Sequence, residues 1–583
     1  MTGRTICCIL LLALGARAEQ PDAADPRVRT YVHPKRIVWQ TPVSAFEFDR
    51  GHWKVEDAES LLEPKHGQIP ERGFWTGAKC RLVNRGVAPG ILIDFGRELH
   101  GAVQIGSGCD SERVNTVRLR FGESVGEAMS EPGEKGSTNA HGIRDGLFTV
   151  PANGTVTIGD SGFRFLRIDL VSNGTLALDF VRAVSLMRTM RRLGAFRCSD
   201  ERLNLVWDTA VRTVHLCCQE HLWDGIKRDR LVWAGDMHPE TMSILTVFGG
   251  ASVLPESLDY LAAVTDPRTQ WMNNIVNYSM WYVRNVAEWY RYTGDVDDVR
   301  RRRGYLAETI RRLAACIGPD GVLRSDDRTL LDWPTEHNAP AKEAGTQALA
   351  AIAFDEGAFL AEAAGDAALA AECRAAAAKV RSQAAPDPNG SKQAAALLAL
   401  AGMARPERMF ADVLGRNGHE GVSTFYGYYM LEAMSAAGEN QRALDTVRDY
   451  WGAMLDVGAT SFWEDFRLSW TNDCSCLDEL PVAGRKDIHG DYGEFCYPGY
   501  RHSLCHGWSS GPAAWLINRV LGIRPLAPGC RKVEVKPFLG TLAWAEGAMA
   551  LPGGKRICVR VEKGTDGSLE VKVDAPEGVE VVR

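Results

Sequence analysis

Ser199-Asp200-Glu201-Arg202-Leu203-Asn204-Leu205-Val206-Trp207-Asp208-Thr209-Ala210-Val211-Arg212-Thr213-Val214 is where the chain changes character. Leu203, Val206, Trp207, Ala210 and Val214 recur at steps of three and four, which puts them on one face of a helix. Ser199 or Asp200 stands where an N-cap is needed. Upstream, over residues 30–195, the pattern is that of strands. Short runs such as Gly90-Ile91-Leu92-Ile93-Asp94-Phe95, Val117-Arg118-Leu119-Arg120-Phe121 and Phe163-Arg164-Phe165-Leu166-Arg167-Ile168 lie between Gly, Pro and Asn clusters, and this predicts a β-sandwich.

Downstream, helical segments continue to residue 520. The amphipathic run 282–293 meets Gly294 and the run 308–317 meets Gly318, the usual C-terminal stop. Alanine-rich stretches at 346–364 and 391–403 belong to the same block. Counting such segments gives about twelve helices with long connecting loops, which suits six helical hairpins closed into a toroid better than a four-helix bundle. After Pro525 short strands return, as in Val533-Glu534-Val535 and Ile557-Cys558-Val559-Arg560-Val561. The expected fold is therefore multidomain: a β-sandwich over 30–195, an all-α (α/α)6 toroid over 196–520, and a small β-domain over 521–583.

The first eighteen residues carry Arg4, the apolar run from Ile6 to Leu14, and Ala16-Arg17-Ala18. That order of charge, apolar run and small-residue site predicts a cleaved signal peptide with a mature start near Glu19, hence a secreted or periplasmic protein. No other stretch is apolar for long enough to span a membrane. With 583 residues, 45% hydrophobic and 24% charged, there is material for more than one packed core. A net charge of -7 without a basic run argues against nucleic acid and anionic membrane as partners, and leaves a small neutral ligand. Of fifteen cysteines, two lie in the leader, so an odd number remains and at least one thiol is unpaired. Neither Cys217-Cys218 nor Cys474-x-Cys476 is joined by the second Cys or His pair of a structural zinc site, and no metal is expected. Disulfides are expected among Cys474, Cys476, Cys496 and Cys505.

Two constellations carry candidate chemistry. Trp223-Asp224-Gly225-Ile226-Lys227-Arg228-Asp229-Arg230-Leu231-Val232-Trp233-Ala234-Gly235-Asp236 packs carboxylates, arginines and tryptophans into a loop between two helices, and Pro239 suits the first turn of the second. Gly458-Ala459-Thr460-Ser461-Phe462-Trp463-Glu464-Asp465-Phe466 places a carboxylate between aromatics directly after another helix. Hydrolysis of a glycosidic bond needs one carboxyl group to protonate the leaving oxygen and another to activate water, while aromatic faces stack on the sugar. The plainer readings are a solvated ion-pair surface for Arg228-Asp229-Arg230 and core packing for the tryptophans.

The two segments resemble the signatures of the α-L-rhamnosidases of glycoside hydrolase family 78: an aspartate leading to Arg, an acidic residue and Trp-x-Gly-Asp, then Gly-Ala-Thr-Thr-x-Trp-Glu. Fainter likenesses follow in the same order, at Asp94-Phe95-Gly96, Gly162-Phe163-Arg164, Tyr292-Thr293-Gly294-Asp295, Asp332-Trp333, and His506 before Pro525-Leu526-Ala527-Pro528-Gly529. The resemblance implies Asp229 as general acid and Glu464 as general base. It implies Asp224 and Asp236 as sugar-binding carboxylates, and Arg228, Trp233, Asp332, Trp333, Trp463 and His506 as further lining of the terminal-sugar subsite. The plainer reading of His506 is a hydrogen-bonded structural histidine. The implied activity is exo-acting, inverting release of terminal α-L-rhamnose, with no cofactor and a carbohydrate as partner. One departure stands out: the family commonly has Glu at the acid position, and Asp229 is a methylene shorter, a difference on the scale that costs about 100-fold when a catalytic group is misplaced. The alternatives are a hydrolase of the same fold for another sugar, and a carbohydrate-binding protein without turnover.

Overall fold

A computed structural model describes residues 25–42, 55–63, 80–383, 385–495 and 497–583. The expected leader and Cys496 lie outside the described residues.

Among the described residues nine strands come first: β1 Arg27–Val32, β2 Arg36–Gln40, β3 Val55–Glu56, β4 Cys80–Asn84, β5 Gly90–Ser107, β6 Asn115–Gly122, β7 Asp145–Val150, β8 Gly154–Leu170 and β9 Gly174–Arg188. All nine belong to one hydrogen-bonded sheet of order β3-β4-β9-β5-β8-β6-β7, with β1 added to β9 and β2 to β5. The long strands β5 and β8 pair through two register shifts, after Asp94 and after Gly101. Shifts of that kind bend and twist a strand, letting one sheet wrap around its own apolar cluster of Ile91, Ile93, Phe121, Phe163 and Leu166. Gly101 is obligatory there. Its φ is +143°, and a Cβ would fall 2.0 Å from the Val184 carbonyl oxygen. The short helix α1, Val125–Met129, hangs from the end of β6.

Twelve helices follow among the described residues. They are α2 Glu201–Cys217, α3 Met237–Val247, α4 Val253–Val264, α5 Val276–Thr293, α6 Val296–Ala315, α7 Ala339–Ala364, α8 Ala367–Arg381, α9 Lys392–Leu400, α10 Pro406–Met409 running on through Phe410–Leu414, α11 Gly427–Ala436, α12 Asn440–Thr446 running on to Asp456, and α13 Pro512–Trp515 running on to Val520. Asp200 caps α2 by accepting from the N–H groups of Arg202 and Leu203, which contributes about 1 kcal/mol, and the apolar positions read from the sequence are all buried. Gly294 ends α5 at φ +72°, as its position predicts. Gly318 does not end α6. That helix stops at Ala315, and Gly318 sits in the turn after it, accepting from Gly321.

Every second helix touches the next but one: α3 meets α5, α5 meets α7, α7 meets α9, α9 meets α11, α11 meets α13, and α13 meets α3. Alanine-rich α7 is buried on most of its surface, whereas α6 keeps an exposed arginine face. The helical part is not purely α, since β11 Cys474–Ser475 pairs in parallel with β12 Lys486–Asp487. Among the described residues, no helix is long and apolar enough to cross a membrane.

The end of the chain forms two small sheets. One is β13 Ile523–Pro525, β14 Lys532–Val535 and β18 Glu580–Val582. The other is β15 Trp544–Leu551, β16 Lys555–Lys563 and β17 Leu569–Asp574, with β10 Ala195–Cys198 added to β15 from just ahead of α2. The expected disulfides are absent among the described cysteines. Cys474, Cys476 and Cys505 are free thiols that face different surroundings, the Thr471 carbonyl, the Asp456 carbonyl and the buried Cys217.

Candidate active site

The loop joining α2 to α3 is closed on itself by Asp224. The Asp224 N–H donates to the Leu231 carbonyl at 3.0 Å, its Oδ1 accepts from the Leu231 N–H at 3.0 Å, and its carbonyl accepts from the Gly507 N–H at 2.8 Å. Between these clips the chain makes a tight turn, with Asp229 at φ +53° and Arg230 at φ +54°. Left-handed backbone at a residue with a Cβ costs about 1 to 3 kcal/mol and persists only where neighbours hold it. Here the hold comes from the β-sheet domain: the Arg230 guanidinium donates to the Asp160 carbonyl at 2.8 Å, and Gly142 leaves it room, since a Cβ there would lie 2.4 Å from the guanidinium nitrogen.

Glu464 is placed from the helical side. Its N–H donates to the Ser503 carbonyl at 3.0 Å, and its own carbonyl accepts from the Thr424 hydroxyl and from the Trp508 indole N–H at 2.9 Å. Its side chain meets Arg228. That guanidinium donates through one terminal nitrogen to Glu464 and through the other to Asp229 Oδ1 at 3.2 Å, so one arginine head group bridges the two carboxyl groups. The guanidinium carbon of the same arginine stands over the Tyr497 ring, 3.2 Å from its centre.

These groups line a pocket of about 320 Å³, together with Asp224, Trp233, Asp236, Trp333 and His506. The volume is at the small end of the range for ligand sites, about 300 to 1,000 Å³, and suits one sugar ring rather than a chain. Burial pushes Glu464 up, but Arg228 first, then His506 and His502, override it and hold the carboxyl at about 2. It is ionised throughout the neutral range. Asp224 and Asp236 go the other way, because burial raises both against the pull of His506. Burial would lower His506, yet Glu464 and a 3.2 Å contact with Asp236 leave it raised.

Two of the residues expected in the sugar subsite are not part of the pocket lining. Asp332 is buried behind Trp333, where it caps the turn Trp333–Thr335 and accepts from Ser423 at 2.5 Å and Gln393 at 3.2 Å; burial pushes its carboxyl up to about 6. Trp463 points into the core, edge-on to Phe466 at 5.5 Å, because its neighbour Glu464 takes the pocket-facing direction. Conversely, the pocket includes Ile275, Tyr278, Arg328, Leu330, Tyr497 and Trp508, none of which sequence reasoning singled out. Tyr278 donates to Asp236 at 2.9 Å. The only hint was Trp508, an aromatic two residues beyond His506.

Among the described residues, one buried group has donors in reach of a common point, Glu123, Glu127 and His489. The Lys227 ammonium already lies among them, 3.3, 3.0 and 3.5 Å away, and donates to the His502 carbonyl at 2.9 Å. A lysine cation thus takes the place a metal would need.

Helical hairpins stand behind a strand-rich region, with paired carboxyls in a small aromatic pocket. Residues 191–385 match the family model described as the bacterial alpha-L-rhamnosidase six-hairpin glycosidase domain, and residues 522–582 match that of the bacterial alpha-L-rhamnosidase C-terminal domain. The resemblance to the rhamnosidases of family 78 is thereby upheld. Among solved structures, the chain is similar to a family 78 rhamnosidase of Bacillus sp. GL1 (TM-score 0.72, 22% identity, covering 90% of this chain and 55% of that one). It is also similar to a rhamnosidase from Klebsiella oxytoca with rhamnose bound (TM-score 0.63, 20% identity, 85% and 96%) and to an alpha-L-rhamnosidase from Aspergillus terreus (TM-score 0.68, 16% identity, 87% and 60%). The chain spans little more than half the length of the Bacillus relative. At these identities the likeness speaks for the fold. No curated protein matches the chain.

Proposed function

We propose that this protein is an exo-acting glycoside hydrolase that releases terminal α-L-rhamnose, with Asp229 as general acid and Glu464 as general base. The observation that carries the reading is the pocket in which Arg228 bridges these two carboxyl groups. Inverting hydrolysis uses two facing carboxyls with room for a water between them, and Arg228 sets Asp229 and Glu464 on two nitrogens of one head group. Glu464, ionised by Arg228, takes the proton of the attacking water. Asp229 turns Oδ1 toward Arg228, and Oδ2 is the oxygen that can carry a proton to the leaving group. Asp224, Asp236 and His506 are the polar groups for the sugar hydroxyls. Ile275 and Leu330 supply apolar surface for the methyl group that distinguishes a 6-deoxy sugar.

The circuit of contacts from α3 through α5, α7, α9, α11 and α13 back to α3 supports reading the helical part as a closed (α/α)6 toroid with the pocket at one mouth. The charged, apolar and small-residue order of the first eighteen residues supports export of the protein to the periplasm or the medium. Incubation of purified protein with an aryl α-L-rhamnoside, followed by NMR of the sugar as it is released, tests both activity and stereochemistry. Release of β-L-rhamnose as first product is expected. First release of the α anomer removes the inverting mechanism, and rhamnose binding without turnover replaces the enzyme by a binding protein.

A further inference from the structure

Beyond Asp229, away from the helices, stands a loop of the β-sheet domain. Asn139 braces it: the amide donates to the Asp145 carbonyl at 2.9 Å, and its oxygen accepts from the N–H groups of Arg144 and Asp145, both at 2.9 Å. Arg144 ties the loop down, donating to Ser161 at 2.9 Å and pairing with Glu127 at 3.0 Å. At its tip His141 takes a left-handed φ of +73°, and its Nδ1 lies 3.7 Å from Asp229 Oδ1, the oxygen that also faces Arg228. Three non-glycine residues in left-handed backbone, His141, Asp229 and Arg230, therefore meet at one point between two domains. Strain concentrated in this way needs a reason, and the ordinary one is a ligand or a reaction.

Asp229 lines the sugar pocket, whereas His141 stands outside it, half-exposed. A general acid must hydrogen-bond the oxygen through which the leaving group is attached, so that group extends past the acid and out of the pocket. On the proposed function, we infer that the leaving group departs against the β-sheet domain, and that His141 binds it there. The nearby groups are polar, His141 with Asp160 and Arg230, so the surface fits a hydroxyl-rich leaving group, a second sugar, better than a flat apolar one. His141 would then be a specificity residue for the bond's far side, supplied by a different domain from the one that holds the sugar.

The test compares a rhamnosyl disaccharide with 4-nitrophenyl α-L-rhamnoside, and uses free L-rhamnose as an inhibitor that fills only the pocket. His141→Gly should lower kcat/KM for the disaccharide by about tenfold, the worth of one hydrogen bond to a neutral or charged partner. It should leave the nitrophenyl glycoside and rhamnose inhibition within about twofold. His141→Asn keeps a residue tolerant of left-handed backbone but lacks the imidazole, and should behave like His141→Gly. Equal loss on both substrates, no loss on either, or wild-type selectivity in His141→Asn overturns the inference. A wild-type protein that cleaves neither substrate removes the function it rests on, which is a different result from one that cleaves both without regard to His141.

Discussion

Asp229 and Glu464 share one arginine but are held by different parts of the molecule. Glu464 is anchored in the helical core, by backbone bonds to Ser503, Thr424 and Trp508, and its side chain is 4% exposed. Asp229 is 14% exposed, sits on strained backbone, and depends on Arg230 reaching the β-sheet domain. The proposed base is a property of the helical fold. The proposed acid is a property of the contact between domains.

The strongest way to break this pairing is to remove each carboxylate while keeping its shape. Glu464→Gln should reduce turnover by about 100- to 10,000-fold on every substrate, because each needs an activated water. Asp229→Asn should cost as much on a disaccharide but far less on an activated aryl glycoside, whose leaving group departs with little protonation. Initial rates on the two substrates decide the matter, and equal losses in Asp229→Asn would move the acid elsewhere.

Arg228→Met comes next, at about 10- to 100-fold near neutral pH, because it releases both carboxyls from their common partner. Its pH profile is the sharper readout. In the native site Glu464 is held at about 2, so it does not limit activity down to mildly acid pH. Without Arg228 the burial of Glu464 is opposed only by His506 and His502, and its carboxyl moves up from its native value. A base works only when deprotonated, so the variant should lose more activity at pH 5 than at pH 7, and a wild-type acid limb in Arg228→Met would contradict the clamp.

Arg230→Met isolates the domain contact. It should cost about tenfold on the disaccharide and little on the aryl glycoside, matching a loosened acid and an intact base. The smallest effect on activity belongs to Trp463→Phe. Since Trp463 faces the core, denaturant titration should show a loss of about 1 to 3 kcal/mol with kcat/KM within about twofold. A rise in KM instead would put the indole in the sugar pocket.

What could be read from the sequence follows the distance over which each feature is decided. The Asp200 cap, the buried stripe of α2 and the Gly294 stop are settled within a few residues, and the loop 224–236 carries its own composition. Tyr278, Arg328 and Tyr497 come from three separate segments, and only the tertiary fold brings them to one pocket. Trp463 misled because an aromatic beside a carboxylate has two directions open to it, and backbone alternation gave the pocket to Glu464. Asp332 misled in another way: its match to Asp332-Trp333 was local, and Ser423 and Gln393, which turn it away, are distant in sequence.

The strand β10 has a consequence for how the chain is made. Ala195–Cys198 leaves the ribosome before α2 to α13, but its partner Ala545–Ala548 emerges after all of them. Until then a strand edge at the entrance to the helical part stays open, and open edges recruit other chains. Synthesis from one end to the other therefore cannot complete this protein piecemeal. A nascent or truncated chain that stops short of β15 carries an unsealed seam, and it is in that form, before any sugar is met, that aggregation competes most strongly with folding.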